Sequence, residues 1–167
     1  LFSDRIMDVT EATKVTAEVE LEYRIDGRLY RDRHGSILRV LDRNAMTWDD
    51  DKRAAAFVTA KDPAVLTCSR RASGLVRESE QRPISDEFLK AVATHELLNL
   101  MSIQYAIDPT TPYADLSRTT QAIDFLQFPR QTMQYAGGDC DDLSILYCAL
   151  LESAGIESAL VTVPGHV

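Results

Sequence analysis

The chain opens with a strict alternation. Val15, Ala17, Val19, Leu21, Tyr23 and Ile25 take turns with Thr16, Glu18, Glu20, Glu22 and Arg24. A period of two is the mark of a strand with one face turned to a core. Asp26-Gly27 follows, a pair that accepts the positive φ angles of a tight hairpin turn. The return strand is expected over Arg28–Arg33. His34-Gly35 reads as a second turn and Ser36–Asp42 as a third strand. Ala54–Thr59 is a candidate fourth strand, broken by Lys61-Asp62-Pro63. Residues 1–75 are therefore expected to form a small β-sheet or sandwich domain.

The period then changes. Ser69–Arg82 is polar and interrupted by Gly74, with Pro83 next, which makes it the expected domain boundary. Ser85-Asp86-Glu87 has the form of a helix start, a capping hydroxyl followed by acids in the first turn. Phe88, Leu89, Val92, Ala93, Leu97, Leu100 and Met101 keep helical spacing, and Asp108-Pro109 supplies the expected stop after Ile107. Thr110–Thr120 reads as a loop. Ala122–Met133 is a short helix or extended stretch broken at Pro129. Gly137-Gly138 then leads into Leu143–Leu151, apolar nearly all round and so expected to be a helix buried on most faces. Gly155 suits its C-terminal turn. Glu157–Val163 reads as a strand stopped by Pro164. Residues 84–167 are the expected second domain, and the fold class is α+β.

Composition narrows the function. The chain has 167 residues, 26 acidic against 18 basic, for a net charge of −8. That balance speaks against nucleic-acid binding. The basic cluster Arg28–Arg33 is interleaved with acids and reads as a solvated strand face. No run of 18 apolar residues exists, so no membrane span is expected. The first residues, LFSDRIMDVT, have no n-region or h-region, and a start inside a longer parent chain is the expectation. There are three cysteines, Cys68, Cys140 and Cys148, with no CxxC pair, so neither a disulfide framework nor a zinc site is indicated. Within one helix, Cys140 and Cys148 would stand about 12 Å apart and cannot bridge.

The chemistry gathers at the end of the chain. Cys140 stands where the apolar helix begins, and His166 lies 26 positions later, past the expected strand. A helix, a tight turn and an antiparallel strand would return the chain to the helix start and bring the two together. Helix N–H groups at Cys140 favour a thiolate and lower its pKa. Its own N–H is free to serve an oxyanion. Asp139, Asp141 and Asp142 would oppose this if they faced the sulfur; capping the helix and facing away is the expectation. Other groups are weaker candidates. Asp49–Asp51, after the single tryptophan Trp48, suits a cation less well than a turn or helix start. His95, beside Glu96, reads as an ordinary helical residue.

The stretch FPRQTMQYAGGDCDDLSILYCALLESAGIESALVTVPGHV resembles the core of the transglutaminase-like superfamily, in particular bacterial proteins with a G-G-D-C-[DE]-D helix and a later G-H. The resemblance is specific over Phe125–Val167 and weaker over Ile84–Ala136, where QYAIDPTTPY also looks like the family. The N-terminal β region carries no such motif. The resemblance implies a papain-like fold truncated at its C-terminus, with Cys140 as nucleophile and His166 as base. It implies an amide or peptide bond in a protein or peptide as substrate, and either hydrolysis or transfer. The family's third residue, which orients the histidine, has no counterpart up to Val167. The sequence is therefore expected to be a fragment with further domains in its parent, to be completed by another chain, or to be a catalytically inactive scaffold or binding module. Oxyanion candidates are Gln127, Gln134 and Tyr135. No cofactor is required, although calcium at Asp139, Asp141 and Asp142 is an open reading, since hard cations take several oxygens. The compartment implied is the bacterial cell envelope.

Overall fold

A computed structural model describes residues 4–78, 83–108, 122–164 and 166–167. The chain is mixed α+β and divides into two compact units, Leu1–Ala45 and Met46–Val167. The division falls earlier than the polar stretch expected to mark the domain boundary.

The first unit is a hairpin. A 3₁₀ turn, Asp4–Asp8, precedes β1 (Thr13–Ile25) and β2 (Arg28–Val40), which pair antiparallel along their whole lengths. Asp26 (φ 48°) and Gly27 (φ 80°) both take positive φ, the two-residue turn whose twist matches that of the strands. The expected second turn at His34-Gly35 does not form. With the register fixed at Asp26-Gly27, His34 pairs with Val19 and Gly35 with Glu18. Turning there would forfeit every pairing from Thr13 to Glu18. The expected third strand is therefore the outer half of β2. One face carries Val15, Val19, Leu21, Tyr23 and Ile25 beside Tyr30 and Leu38 from the opposite strand. The rings of Tyr23 and Tyr30 stack at 5.5 Å. The other face carries the ion pairs Arg31–Glu22 at 2.9 Å and Arg33–Glu20 at 3.4 Å.

The second unit is mostly helical. β3 (Ala45–Thr47), whose last two residues begin it, pairs with β5 (Ile123–Phe125). Asp51–Phe57 is a 3₁₀ helix, not the expected strand, and Asp50 caps it by accepting from Lys52 N. Ala54 and Phe57 are buried, a spacing of three that a 3₁₀ helix puts on one side. α1 (Pro63–Glu78) follows, with Pro63 in its first turn and Asp62 accepting from Ala64 N at 2.8 Å. It occupies much of the stretch expected to be a linker. Val65, Cys68, Ser69 and Ala72 are its buried residues, a helical stripe that the surrounding polar residues conceal.

α2 (Asp86–Leu100) starts as expected, the Ser85 hydroxyl accepting from Phe88 N at 3.2 Å. It stops short of Ile107. Ser102 takes φ 58°, Ile103 N bonds Leu98 O, and the chain turns into β4 (Gln104–Tyr105). The expected loop at Thr110–Thr120 lies outside the described residues. α3 (Pro129–Tyr135) has Pro129 in its first turn, so this proline starts a helix rather than breaking one. Ala136 ends it at φ 55° and β6 (Gly137–Gly138) pairs parallel with β4.

α4 (Cys140–Ser153) is the centre of the unit. Ile145 and Cys140 pack with Met46, Trp48, Phe57 and Leu126, while Leu146, Ala149 and Leu150 pack with Val65 and Cys68. Gly155 (φ 80°) closes the helix as expected. Glu157–Val163 does not form the expected strand. Ile156, Ser158, Leu160 and Thr162 are partly buried and the residues between them exposed. The alternation is thus present, but no ladder partner lies among the described residues. An isolated bridge, Val163 with His166, follows. Among the described residues no helix is long and apolar enough to cross a membrane.

Candidate functional site

The site forms where β6 delivers the chain into α4. Gln104 N bonds Ala136 O at 3.0 Å and Ala106 N bonds Gly138 O at 2.9 Å. These two bonds fix the approach. Gly138 leaves no room for a side chain: a Cβ there would lie 2.5 Å from Asp142 Cβ and 2.8 Å from its Oδ2. The acidic side chain packs against bare backbone.

Cys140 stands in the first turn of α4, 7% exposed and part of the apolar core. Its thiol is raised, not lowered as the helix start alone would suggest. Burial is the main cause, and Asp139 adds to it. The N–H groups of Val167, Asp141 and Cys140 oppose the rise without overcoming it. Cys68 is raised too, chiefly by burial.

The three aspartates do not face away. Asp139, Asp141 and Asp142 are buried, and one carboxylate oxygen from each lies within 4.8 Å of the other two. Asp139 is the N-cap residue, yet its side chain makes no capping hydrogen bond. Asp141 accepts from Asp142 N at 2.8 Å and shares a hydrogen bond with Asp139. Burial, that hydrogen bond and the neighbouring negative charges push Asp141 up to about 11, so it holds a proton at neutral pH. Asp142 accepts from both Gln127 N (2.7 Å) and Gln127 Nε2 (2.6 Å). Its carboxyl is still raised to about 7, mainly by burial.

A fourth acid was not anticipated. Asp124 on β5 is 2% exposed and accepts from Trp48 Nε1 at 2.7 Å. Its charge helps to raise Asp141 and Asp142. The available signal was phase: in Ile123–Leu126, Asp124 shares the inward side of the strand with Leu126. Tyr105 was also missed. It pairs with Gly138 across the β4–β6 ladder, and its phenol is raised by partial burial and then by Cys140, Asp139 and Asp141.

Calcium ligands lie 2.3–2.6 Å from the ion, so oxygens within 4.8 Å of one another fit around one cation. Two of the three acids also have protein partners: Asp142 accepts from Gln127, and Asp141 bonds Asp139 and Asp142 N.

Val167 packs on the core cluster that holds Cys140, and Ser144 Oγ donates to Val167 O at 3.4 Å. His166 is next to it in sequence and exposed, its N and O both bonded to Val163. No hydrogen bond joins His166 to Cys140 among the described residues. Gln127 is committed to Asp142, while Gln134 and Tyr135 are exposed on α3. His95 is exposed, 3.6 Å from Glu96 and 3.4 Å from Asn99. Asp49 pairs with Arg53 at 2.6 Å and Asp51 accepts from Thr162 Oγ at 2.6 Å, as a helix start and its flank would.

Comparison with protein-family models, with curated proteins and with solved structures gives no match.

Proposed function

We propose that the second unit is a transglutaminase-like cysteine enzyme core of papain-like type, acting on an amide or peptide bond of a protein or peptide. The observation that carries this reading is the return of the chain to the start of α4: Val167 lies on the core around Cys140, its N–H favours the thiolate, and His166 is its neighbour. In this reading His166 takes the thiol proton and Sγ attacks the carbonyl carbon. The leaving amine recovers the proton and a thioester remains. Water then completes hydrolysis, or a second amine completes transfer. No cofactor is needed, and calcium at Asp139, Asp141 and Asp142 would act on the conformation of the helix start. The test is peptide or isopeptide turnover by the wild type and by Cys140→Ala. Turnover that survives the substitution sinks the proposal.

The second reading is a catalytically inactive scaffold or binding module. It is favoured by the raised thiol and by the absence of a Cys140–His166 hydrogen bond among the described residues. Alkylation rates against pH separate the two. An activated Cys140 reacts with iodoacetamide well below pH 8, ahead of Cys68 and Cys148. In a scaffold Cys140 is no faster than those two.

A further inference from the structure

We infer that Tyr105 is a catalytic residue of this site, its hydroxyl donating to the acyl oxygen as the tetrahedral intermediate forms on Cys140. The inference rests on the proposed nucleophile and adds a residue to it.

β4 pairs with β6 in parallel, Tyr105 level with Gly138. Neighbouring strands run about 4.8 Å apart, and the two residues from Gly138 to Cys140 extend the chain by at most about 7 Å. A tyrosine side chain is long enough to cross that gap. Paired residues of neighbouring strands project to the same side of the ladder, and a side chain at Gly138 would point at Asp142, so Tyr105 stands on the side of α4. Tyr105 is also 59% exposed, while Cys140 is almost covered. Of the two, the phenol is the side chain open to an incoming substrate.

The alternatives recede. Gln127 has its amide nitrogen on Asp142, and Gln134 and Tyr135 project from α3 into solvent. Asp141, the acid that keeps its proton, has it in the hydrogen bond with Asp139, and Asp142 accepts from Gln127, so neither offers a donor to the acyl oxygen. The surroundings also keep the phenol protonated, which is the form that donates. Together with the N–H of Cys140, Tyr105 gives two donors to one oxygen. As Sγ forms its bond to the carbonyl carbon, the π pair moves onto the oxygen between them. When the pair returns, the bond to the leaving group breaks. Stabilisation aimed at developing charge acts on the rate and not on thiol ionisation.

That distinction supplies the test. p-Nitrophenyl acetate acylates a thiol through an oxyanion, whereas iodoacetamide alkylates it by direct displacement with none. Both rates are measured at Cys140 by mass spectrometry in the wild type, Tyr105→Phe and Tyr105→Ala, with melting temperatures as a check on folding. The expected result is acylation slower on the order of 100-fold in both variants and alkylation unchanged. If Tyr105→Phe acylates like the wild type, or if only Tyr105→Ala is slow, the hydroxyl has no such role and the inference is overturned. An equal fall in both reactions also overturns it, since that marks a change at the sulfur. A wild-type Cys140 that is inert to both reagents overturns the nucleophile reading itself, a different outcome from a Tyr105 variant that matches a reactive wild type.

Discussion

The hairpin and the helical unit place apolar side chains under opposite conditions. In β1 and β2 every residue but Ala17 and Val40 is exposed, and Leu21, Val19 and Ile25 each stay about half exposed. In α4, Ile145, Leu146, Ala149 and Leu150 are wholly covered, and four aspartates are drawn into the same interior along with them or beside them. The hairpin is therefore a structure of pairing, held by ladder bonds and cross-strand contacts worth about 0.2–1 kcal/mol each. The helical unit is a structure of burial, where each side chain weighs more and acids such as Asp141 and Asp142 are displaced from their ordinary state. The same residue type contributes differently in the two.

The largest expected effect follows directly. Leu150→Ala should cost about 2–5 kcal/mol, the range for a buried leucine, read as a loss of denaturant midpoint. Leu21→Ala in the hairpin should change the global transition by less than about 1 kcal/mol. Equal losses would break the contrast. Next is Gly138→Ala, where the new methyl meets Asp142 Cβ at 2.5 Å. Overpacking of this kind costs about 1–3 kcal/mol, and alkylation of Cys140 should change with it because the start of α4 must shift.

The aspartates separate next. Asp142→Asn disturbs two hydrogen bonds from Gln127 and should cost about 1–3 kcal/mol by thermal unfolding. Asp141→Asn should be close to neutral at pH 7, since Asp141 is already protonated there. A large loss in Asp141→Asn would mean that its proton is not held. The pH dependence has a definite sign. Asp142 sits at about 7 in the folded chain against an ordinary 3.8. An acid with a raised folded pKa favours folding as pH falls. Its penalty is full above about pH 7 and is relieved towards pH 4. The wild-type melting temperature should thus gain more between pH 8 and pH 5 than that of Asp142→Asn. Calcium added at pH 8 should raise the wild-type value and leave Asp142→Asn behind; no shift on calcium addition would remove the cation reading. The smallest effect is Tyr23→Phe, which removes an exposed hydrogen bond to Asp32 and should leave the melting temperature essentially unchanged.

What the sequence disclosed was local. The alternation of β1, the Asp26-Gly27 turn, the Ser85 cap and the Gly155 stop each depend on neighbours a few residues away. What it concealed depended on distant partners. Ala54–Thr59 has strand-like residues, but burial of Ala54 and Phe57 selects a 3₁₀ helix. Ser69–Glu78 looks like a linker, yet Ser69 and Ala72 are buried against other helices. Glu157–Val163 keeps the strand period without a described strand to pair with. At the site, spacing picked out Cys140, His166 and the three aspartates. It did not reveal that the acids face inward, because that depends on Gln127 and on the bare backbone of Gly138. Asp124 was legible only as the inward phase of a three-residue strand, and Tyr105 joins the group through strand pairing with Gly138, which one sequence does not display.

The two-rung ladder between β4 and β6 has a consequence for which atom the molecule presents. Successive residues of an α-helix are turned by about 100°. Were the chain to enter α4 one residue early or late, the place now held by sulfur would be taken by the carboxyl of Asp141 or of Asp139. Two backbone hydrogen bonds at Gly138 and Ala136 thus act as an index, choosing a thiol over a carboxyl from three adjacent side chains.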